Sequence, residues 1–331
     1  MNSPQITVLT AVRNGAPYLT ETINNIQSQS FEDWEYIVVD DASTDRTKLI
    51  VERAMRTDSR IKLIAMAQSM GPYAAANEGL IASHGKYIFR IDADDLSPAH
   101  RFCRQLQFMA ENPTYRACVS FWTPFSEKGI LPRVMKVPER PRVFKWYLLL
   151  RSQSIHSSAC MEREALVELG GYRPLPLSQD YRLWCDLTRR NWLGVVPEVL
   201  SYVRMHEKRQ SNEQSGLQHE LAMDVLRDHM LALTGELWCR QELELLCACG
   251  YSRAVPVSDG LAMLDRWERL WAGDPALDDA DRADLHQLAR FRKWKLLRSN
   301  LSQQPIGAVW SGLKLGIDSL FRPAHVNMAG A

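Results

Sequence analysis

The run Lys86-Tyr87-Ile88-Phe89-Arg90-Ile91 leads directly into Asp92-Ala93-Asp94. Aromatic and β-branched residues in a short apolar run read as a buried strand. A carboxylate pair at the C-terminal end of such a strand is where an open α/β sheet gathers its ligand chemistry. Carboxylate oxygens are hard ligands suited to Mg²⁺ or Mn²⁺, and those ions are commonly shared with substrate phosphates. The competing reading makes the two acids caps of a helix beginning near Pro98. The surrounding N-terminal half decides between them.

On either side of that stretch, apolar runs alternate with helical patterns. Strands are predicted at Ile6–Val12, Trp34–Asp40, Ile61–Met66, Tyr87–Ile91 and Ala117–Trp122, and helices at Pro17–Ser28, Asp45–Arg56, Pro72–Ser83 and Pro98–Asn112. Pro17 and Pro98 suit first helical turns, where a missing N–H costs nothing. This alternation predicts a parallel sheet covered on both faces. The rhythm breaks after residue 122. Residues 123–142 carry four prolines and read as a loop. Beyond them come an apolar segment at Ile155–Met161, helices at Glu162–Leu169 and Gln179–Asn191, and short strands at Gly194–Val196 and Leu200–Val203. From Ser215 the pattern is helical, with turns near Gly250, Gly273-Asp274-Pro275 and Gln304-Pro305.

The chain has 331 residues, 46% hydrophobic and 24% charged, with a formal net charge of +1. That is enough for a large core and for one big domain with an appendage, or two domains. Near-neutrality argues against a nucleic-acid partner. Seven cysteines without framework spacing predict reduced thiols and a cytoplasmic setting. Cys239, Cys247 and Cys249 lie in a Leu-rich stretch lacking a fourth ligand, so they read as buried apolar thiols rather than a metal cluster. No signal peptide is read ahead of the first strand, and no run of about 18 apolar residues predicts a spanning helix.

Three strand ends carry polar groups: Thr10-Ala11-Val12-Arg13-Asn14-Gly15, Asp40-Asp41-Ala42-Ser43-Thr44-Asp45, and Asp92 with Asp94. A parallel sheet brings such ends to one crevice. Ser43 and Asp45 read as helix caps and Asp40 as a turn-holding group, leaving Asp41 to accept a hydrogen bond from a nucleobase N–H. No G-x-G-x-x-G or G-x-x-x-x-G-K-[ST] follows any strand, which argues against a dinucleotide enzyme and a P-loop ATPase. Phosphate charge is then expected to be met by a metal on Asp94.

At this point the sequence resembles family 2 glycosyltransferases of the GT-A fold. The matching stretches are ITVLTAVRNGAPYL, EYIVVDDASTDRT, GPYAAANEGLIASHGKYIFRIDADD, IHSSACMEREALVELGGYRP, LSQDYRLWCDL and PEVLSYVRMH, in family order over about residues 5–212. The resemblance implies an α/β catalytic domain over 1–212, with a nucleotide-sugar-binding half (1–122) and an acceptor half (123–212), followed by a helical C-terminal region (213–331). It implies that Asp41 reads the base of a nucleoside diphosphate sugar with Ala11, Arg13, Asp40 and Asn77 nearby, and that Asp92 holds the ribose side. It further implies that Asp94 binds Mn²⁺ or Mg²⁺ bridging the diphosphate, with His206 facing the metal or diphosphate. Asp180 would be the general base, and His156 would line the acceptor side. From the residues alone, Asp180 also fits a plain N-cap and His206 a surface position beside Glu207-Lys208-Arg209.

Where the family often has Pro, Arg and Glu, this chain has Ala11, Ala76 and Gln179. The Q-x-x-R-W pattern of processive synthases is absent after Asp180. The resemblance therefore implies a single, inverting transfer from a donor such as a UDP-sugar to a hydroxyl of a glycan or lipid-linked acceptor, in cell-surface polysaccharide assembly. Two rival readings are a catalytically degenerate nucleotide-sugar-binding module and a nucleotidyltransferase. The latter would need a basic, glycine-rich loop that Thr10–Gly15 does not supply. Residues 290–331 hold seven Lys/Arg against one acid, Asp318, and apolar residues recur at helical spacing over 306–321. A helix of that kind, basic over 290–322, is expected either to lie on the anionic inner face of the cytoplasmic membrane or to pack on its own domain.

Overall fold

The computed structural model describes residues 3–152, 155–206, 215–253 and 255–301. Residues 302–331 lie outside them, and with them the 306–321 segment and the Gln304-Pro305 turn. The described chain divides into two compact units, one of residues up to Glu139 with the described residues of 155–221, the other of Arg140–Ser152 with the described residues from Ala222 to 301.

The first unit is a mixed sheet with helices on both faces. Its strands are β1 (Ile6–Val12), β2 (Trp34–Asp40), β3 (Ile61–Ala65), β4 (Tyr87–Arg90), β5 (Ala117–Ser126), β6 (Gly129–Ile130), β7 (Cys160–Glu162) and β8 (Leu193–Arg204). They run in the order β3-β2-β1-β4-β7-β5-β6, with β8 also paired to β5. The pairs β1–β2, β1–β4, β2–β3 and β5–β8 are parallel. Every residue of β2 is buried, as expected of a strand covered on both faces. Around the sheet lie α1 (Leu19–Gln27), α2 (Thr47–Thr57), α3 (Pro72–Ala82) and α4 (Arg101–Glu111). Helix α1 buries Leu19, Thr22, Ile23 and Ile26, one stripe at helical spacing. Gly85 lets β4 approach β1, because a Cβ there would stand 2.3 Å from the Thr7 backbone nitrogen.

Several boundaries differ from expectation. Pro17 and Pro98 precede their helices, which begin at Leu19 and Arg101, whereas Pro72 and Pro141 each occupy a first helical turn. The proline-rich 123–142 stretch is not simply a loop. Strand β5 continues to Ser126, turns back through β6, and Trp122 bridges Met135. Proline fixes φ within the extended range, so a strand can run through it where the ladder does not need its N–H. The two strands expected near 194–203 are one, β8, with register shifts opposite Ser120–Trp122 where Pro197 lies. The apolar Ile155–Met161 segment forms a 3₁₀ turn (His156–Ser158) followed by β7, which is inserted antiparallel between β4 and β5. Helices α6 (Arg163–Glu168) and α7 (Gln179–Arg189) complete the unit.

The second unit is helical. It packs α5 (Pro141–Tyr147) with α9 (Arg240–Tyr251), α10 (Val257–Ala272) and α11 (Asp279–Leu301), while α8 (Ser215–Thr234) leads into it. Trp146, Tyr147, Trp267 and Trp271 are among its largest buried side chains. Asp274 accepts from Lys145 Nζ and Trp146 Nε1, both at 3.0 Å, tying the turn after α10 to α5. Gly250 does not break α9. It allows close approach, since a Cβ there would stand 1.9 Å from the Leu150 carbonyl oxygen. Cys247 and Cys249 are buried as expected, but Cys239 is not, because it stands at the N-cap of α9 rather than on its packed face; among the described residues no three His, Cys, Asp or Glu form a metal cluster.

Candidate active site

The C-terminal ends of β1, β2 and β4 lie on one edge of the sheet, as parallel pairing requires. The loops after β1 and β2 are stapled together: the Asn14 N–H donates to Ser43 Oγ at 2.8 Å and the Thr44 N–H to Asn14 Oδ1 at 2.9 Å. Asp45 accepts from the N–H groups of Ala16 and Thr47, so it holds this corner and the start of α2, whose N-cap is Arg46; Ser43 braces the loop after β1 instead of capping the helix. Below the corner opens a cleft of about 700 Å³, which Ala11, Arg13, Asp92, Asp94, His156, Asp180 and His206 help to line.

Asp94 and His206 come from opposite ends of this unit. His206 Nε2 lies 2.7 Å from Asp94 Oδ2, and the imidazole packs on Tyr18 with ring centroids 4.8 Å apart. A plain surface position for His206 is therefore not what the fold provides. Arg204, two residues earlier, assembles the pair. Its Nε donates to the Asp94 carbonyl at 3.0 Å, its backbone N–H to Asp95 Oδ1 at 3.0 Å, and its guanidinium meets Glu21 at 2.5 Å. Its Cζ stands over the Tyr18 and Phe125 rings at 4.7 and 4.4 Å. Asp95 is buried beneath, and burial, then the charges of Asp94 and Asp92, push its carboxyl well above the usual range.

Arg90 is an arginine in a buried strand, 2% exposed. It donates to the Leu9 carbonyl at 2.9 Å and to Asp92 Oδ1 at 3.1 Å, while its Nε has no hydrogen-bond partner. The Asp92 N–H donates to Ser157 Oγ at 2.9 Å, so the 3₁₀ turn braces the acidic loop. His156, on the same turn, bonds the Tyr172 hydroxyl through Nε2 at 3.0 Å; burial and then Arg90 hold its pKa well below the usual value, keeping it neutral.

Asp180 sits in the first turn of α7, whose N-cap is Ser178 in a left-handed conformation, so Asp180 is not the cap. Its Oδ1 accepts the Tyr181 N–H at 2.8 Å. Burial, and then the charge of Asp92, raise its pKa from 3.8 to about 6. That value suits a group taking up a proton near neutrality. Beside it the buried Gln179 Oε1 has no partner.

Three expected nucleotide contacts do not line the cleft. Asp40 accepts from the Ser43 N–H at 3.0 Å and holds its turn. Asp41 is buried and accepts from Ser69 Oγ and the Met70 and Gly71 N–H groups at 2.7, 2.7 and 3.1 Å, anchoring the loop before α3. Asn77 spends both ends of its amide on the Tyr172 backbone, at 2.9 and 2.8 Å. Arg90, Arg204 and Tyr18, by contrast, stand at the cleft or brace it without having been expected there. A charged residue inside a buried run, or two places before a histidine, was the available signal.

Asp94 and His206 are one carboxylate and one imidazole at the mouth of a polar cleft, a donor set that suits Mn²⁺ or Mg²⁺ with remaining positions left to substrate oxygens. The residues present fit such an ion.

Residues 7–170 match the model of the family described as glycosyl transferase family 2. The putative glycosyltransferase EpsE of Bacillus subtilis is 31% identical over 211 residues, covering 62% of this chain and 74% of EpsE. An Escherichia coli UDP-Gal:alpha-D-GlcNAc-diphosphoundecaprenol beta-1,3-galactosyltransferase is 28% identical over 189 residues, 55% of this chain and 67% of that enzyme. The fold is also that of the mannosyltransferase PcManGT from Pyrobaculum calidifontis, solved with GDP-Man and Mn²⁺. That match has a TM-score of 0.55 at 18% identity and covers 98% of this chain and 89% of PcManGT. A GT-A-like sheet, an acidic cleft at its ligand edge and this similarity in sequence agree: the chain belongs to glycosyltransferase family 2.

Proposed function

We propose that the chain transfers one sugar, with inversion, from a nucleoside diphosphate sugar to a hydroxyl of a glycan or lipid-linked acceptor, and that the reaction depends on a divalent metal. The observation that carries this reading is a single cleft holding the Asp94–His206 pair, the Arg90–Asp92 pair and a half-buried Asp180 of raised pKa. Asp94 and His206 would hold Mn²⁺ or Mg²⁺, which when bound neutralises diphosphate charge as the leaving group departs. Arg90 adds a fixed positive charge on the same side, with an Nε–H still to be satisfied. Asp92 would meet the ribose side of the donor, with Ala11 and Arg13 on the adjoining wall. Asp180 would take the acceptor hydroxyl proton during attack, worth about 10²–10⁴-fold. A nucleophile activated opposite the leaving group inverts the anomeric centre.

The donor and metal are supported by the similar proteins, one a UDP-Gal-dependent galactosyltransferase and another solved with GDP-Man and Mn²⁺. The diphosphoundecaprenol acceptor of the E. coli relative supports a lipid-linked acceptor and a place in cell-surface polysaccharide assembly. That acceptor also supports a setting on the cytoplasmic membrane face. The basic 290–322 stretch supports it less than its composition alone indicates, because Arg292 is buried and Lys293 pairs with Asp265 and Glu268. Among the described residues no helix is long and apolar enough to cross a membrane. The test is turnover of a nucleotide-sugar panel with Mn²⁺ and with EDTA. Metal-dependent release of the nucleoside diphosphate from one donor is expected, and binding without turnover across the panel would instead identify a degenerate binding module.

A further inference from the structure

The second unit contains a cationic cluster for which the transfer reaction has no use. Arg292, on α11, is 4% exposed, and its guanidinium hydrogen-bonds the Tyr147 hydroxyl while Nε has no partner. Arg151 follows Tyr147 by one turn, its N–H donating to the Tyr147 carbonyl at 3.1 Å, and its Nε is likewise buried and unpartnered. The Arg151 Cζ stands 4.9 Å over the Tyr251 ring, with the Arg253 Cζ 5.5 Å from the same ring. The Tyr251 hydroxyl donates to the Ser152 carbonyl at 3.2 Å. Tyr251 is 39% exposed, so the cluster reaches the surface.

No carboxylate balances these charges among the described residues. Glu244, the acid facing nearby Cys247, accepts from Arg240 Nε at 2.7 Å. Tyr147 and Tyr251 are not anions either: burial raises the first phenol and pushes the second up to about 12. Arg292 shows the resulting strain, its pKa drawn down to about 10, first by burial and further by Arg151. A buried charge left unpaired is costly, and native interiors supply it with a counter-charge and hydrogen bonds. Two guanidinium forks, one on the Tyr147 hydroxyl and one over the Tyr251 ring, offer several donors in fixed planes, a match for a group with two negative charges and several oxygens. We propose that Arg151 and Arg292, with Tyr147 and Tyr251, form a binding site for a phosphate group in the C-terminal unit, separate from the donor cleft.

The experiment uses the full chain in EDTA, so that the Asp94–His206 pair carries no metal. Thermal unfolding is followed with inorganic phosphate against chloride at equal ionic strength, and sedimentation with phosphatidylcholine vesicles containing phosphatidic acid against pure phosphatidylcholine vesicles. Wild type is compared with Arg151→Gln, at a half-buried position, and Arg292→Met, which removes the buried charge but keeps apolar bulk. Expected is a phosphate-specific rise in Tm, or retention on the phosphatidic acid vesicles, that falls at least tenfold in apparent affinity in either variant. The first result assigns a free phosphate and the second a lipid headgroup. Arg292→Met should also unfold at a higher temperature than wild type in phosphate-free buffer. The proposal is overturned if wild type responds to neither probe, or if the response survives undiminished in both variants.

Discussion

His206 Nε2 meets Asp94 Oδ2 at 2.7 Å although the two residues are 112 positions apart in the chain. Strand β8 delivers one and the loop after β4 the other, so the pair exists only when both halves of the first unit are folded. If it holds the metal, Asp94→Ala and His206→Ala should each lower Mn²⁺-dependent affinity for the nucleoside diphosphate at least tenfold while leaving the circular dichroism spectrum intact. Calorimetric titration of UDP and GDP with and without Mn²⁺ checks this; equal Mn²⁺-dependent affinity in wild type and Asp94→Ala removes the assignment.

Arg204 is expected to act through that pair. It touches the Asp94 carbonyl, Asp95 and Glu21, and none of its contacts requires substrate. Arg204→Met keeps some of the packing on Tyr18 and Phe125 but releases the acidic loop, and groups that orient metal ligands are commonly worth about 10–100-fold in metal affinity. Mn²⁺ affinity measured by electron paramagnetic resonance should fall by that factor. The KM for the donor should rise more than kcat falls. A variant with unchanged Mn²⁺ affinity would make Arg204 a packing residue only.

Asp180 predicts the acid side of the pH profile. Its folded pKa of about 6 lies above the ordinary 3.8, so the folded protein retains a proton that the unfolded chain has lost within that window. Stability from this group is therefore fully present below 3.8 and is lost as pH rises through about 6. The base form is populated over the same interval, so kcat/KM should rise tenfold per pH unit up to about pH 6 and then level. Asp180→Asn should flatten this limb and reduce the pH dependence of urea stability between those values.

Gly85 predicts a stability effect without a catalytic one. A methyl group there would stand 2.3 Å from the Thr7 nitrogen and 2.4 Å from the Ile6 carbonyl carbon, backbone atoms that cannot swing aside. Gly85→Ala should cost about 1–3 kcal/mol, as overpacking generally does. A lowered urea midpoint with an unchanged slope is the expected result.

How much of this was legible in sequence follows the range of the interactions. The strands β1 and β2 were readable to the residue because burial on both faces makes each a continuous apolar run. Asp92, Asp94 and Asp180 stand in local motifs, and the fold places all three on one cleft. What β7 does was not readable: three residues inserted antiparallel into the sheet carry no period of their own, and only tertiary pairing places them. The roles of Arg90, Arg204 and Tyr18 depend on partners from distant segments, so no window along the chain contains them. For Asp41 and Asn77, polar residues at a strand end and in a helix, the sequence carries no mark of which neighbouring loop they also hold. Their hydrogen bonds to Ser69, Met70, Gly71 and Tyr172 supply that information.

The central claim is that Asp180 performs the proton transfer in a cleft whose donor side is built independently of it. Single-turnover transfer by Asp180→Asn, measured beside its affinity for donor and Mn²⁺, tests this most directly. The substitution is nearly isosteric, so donor and metal affinities should stay within about twofold while the transfer rate falls by about 10²–10⁴. A variant that keeps more than about a tenth of the wild-type rate would contradict the account.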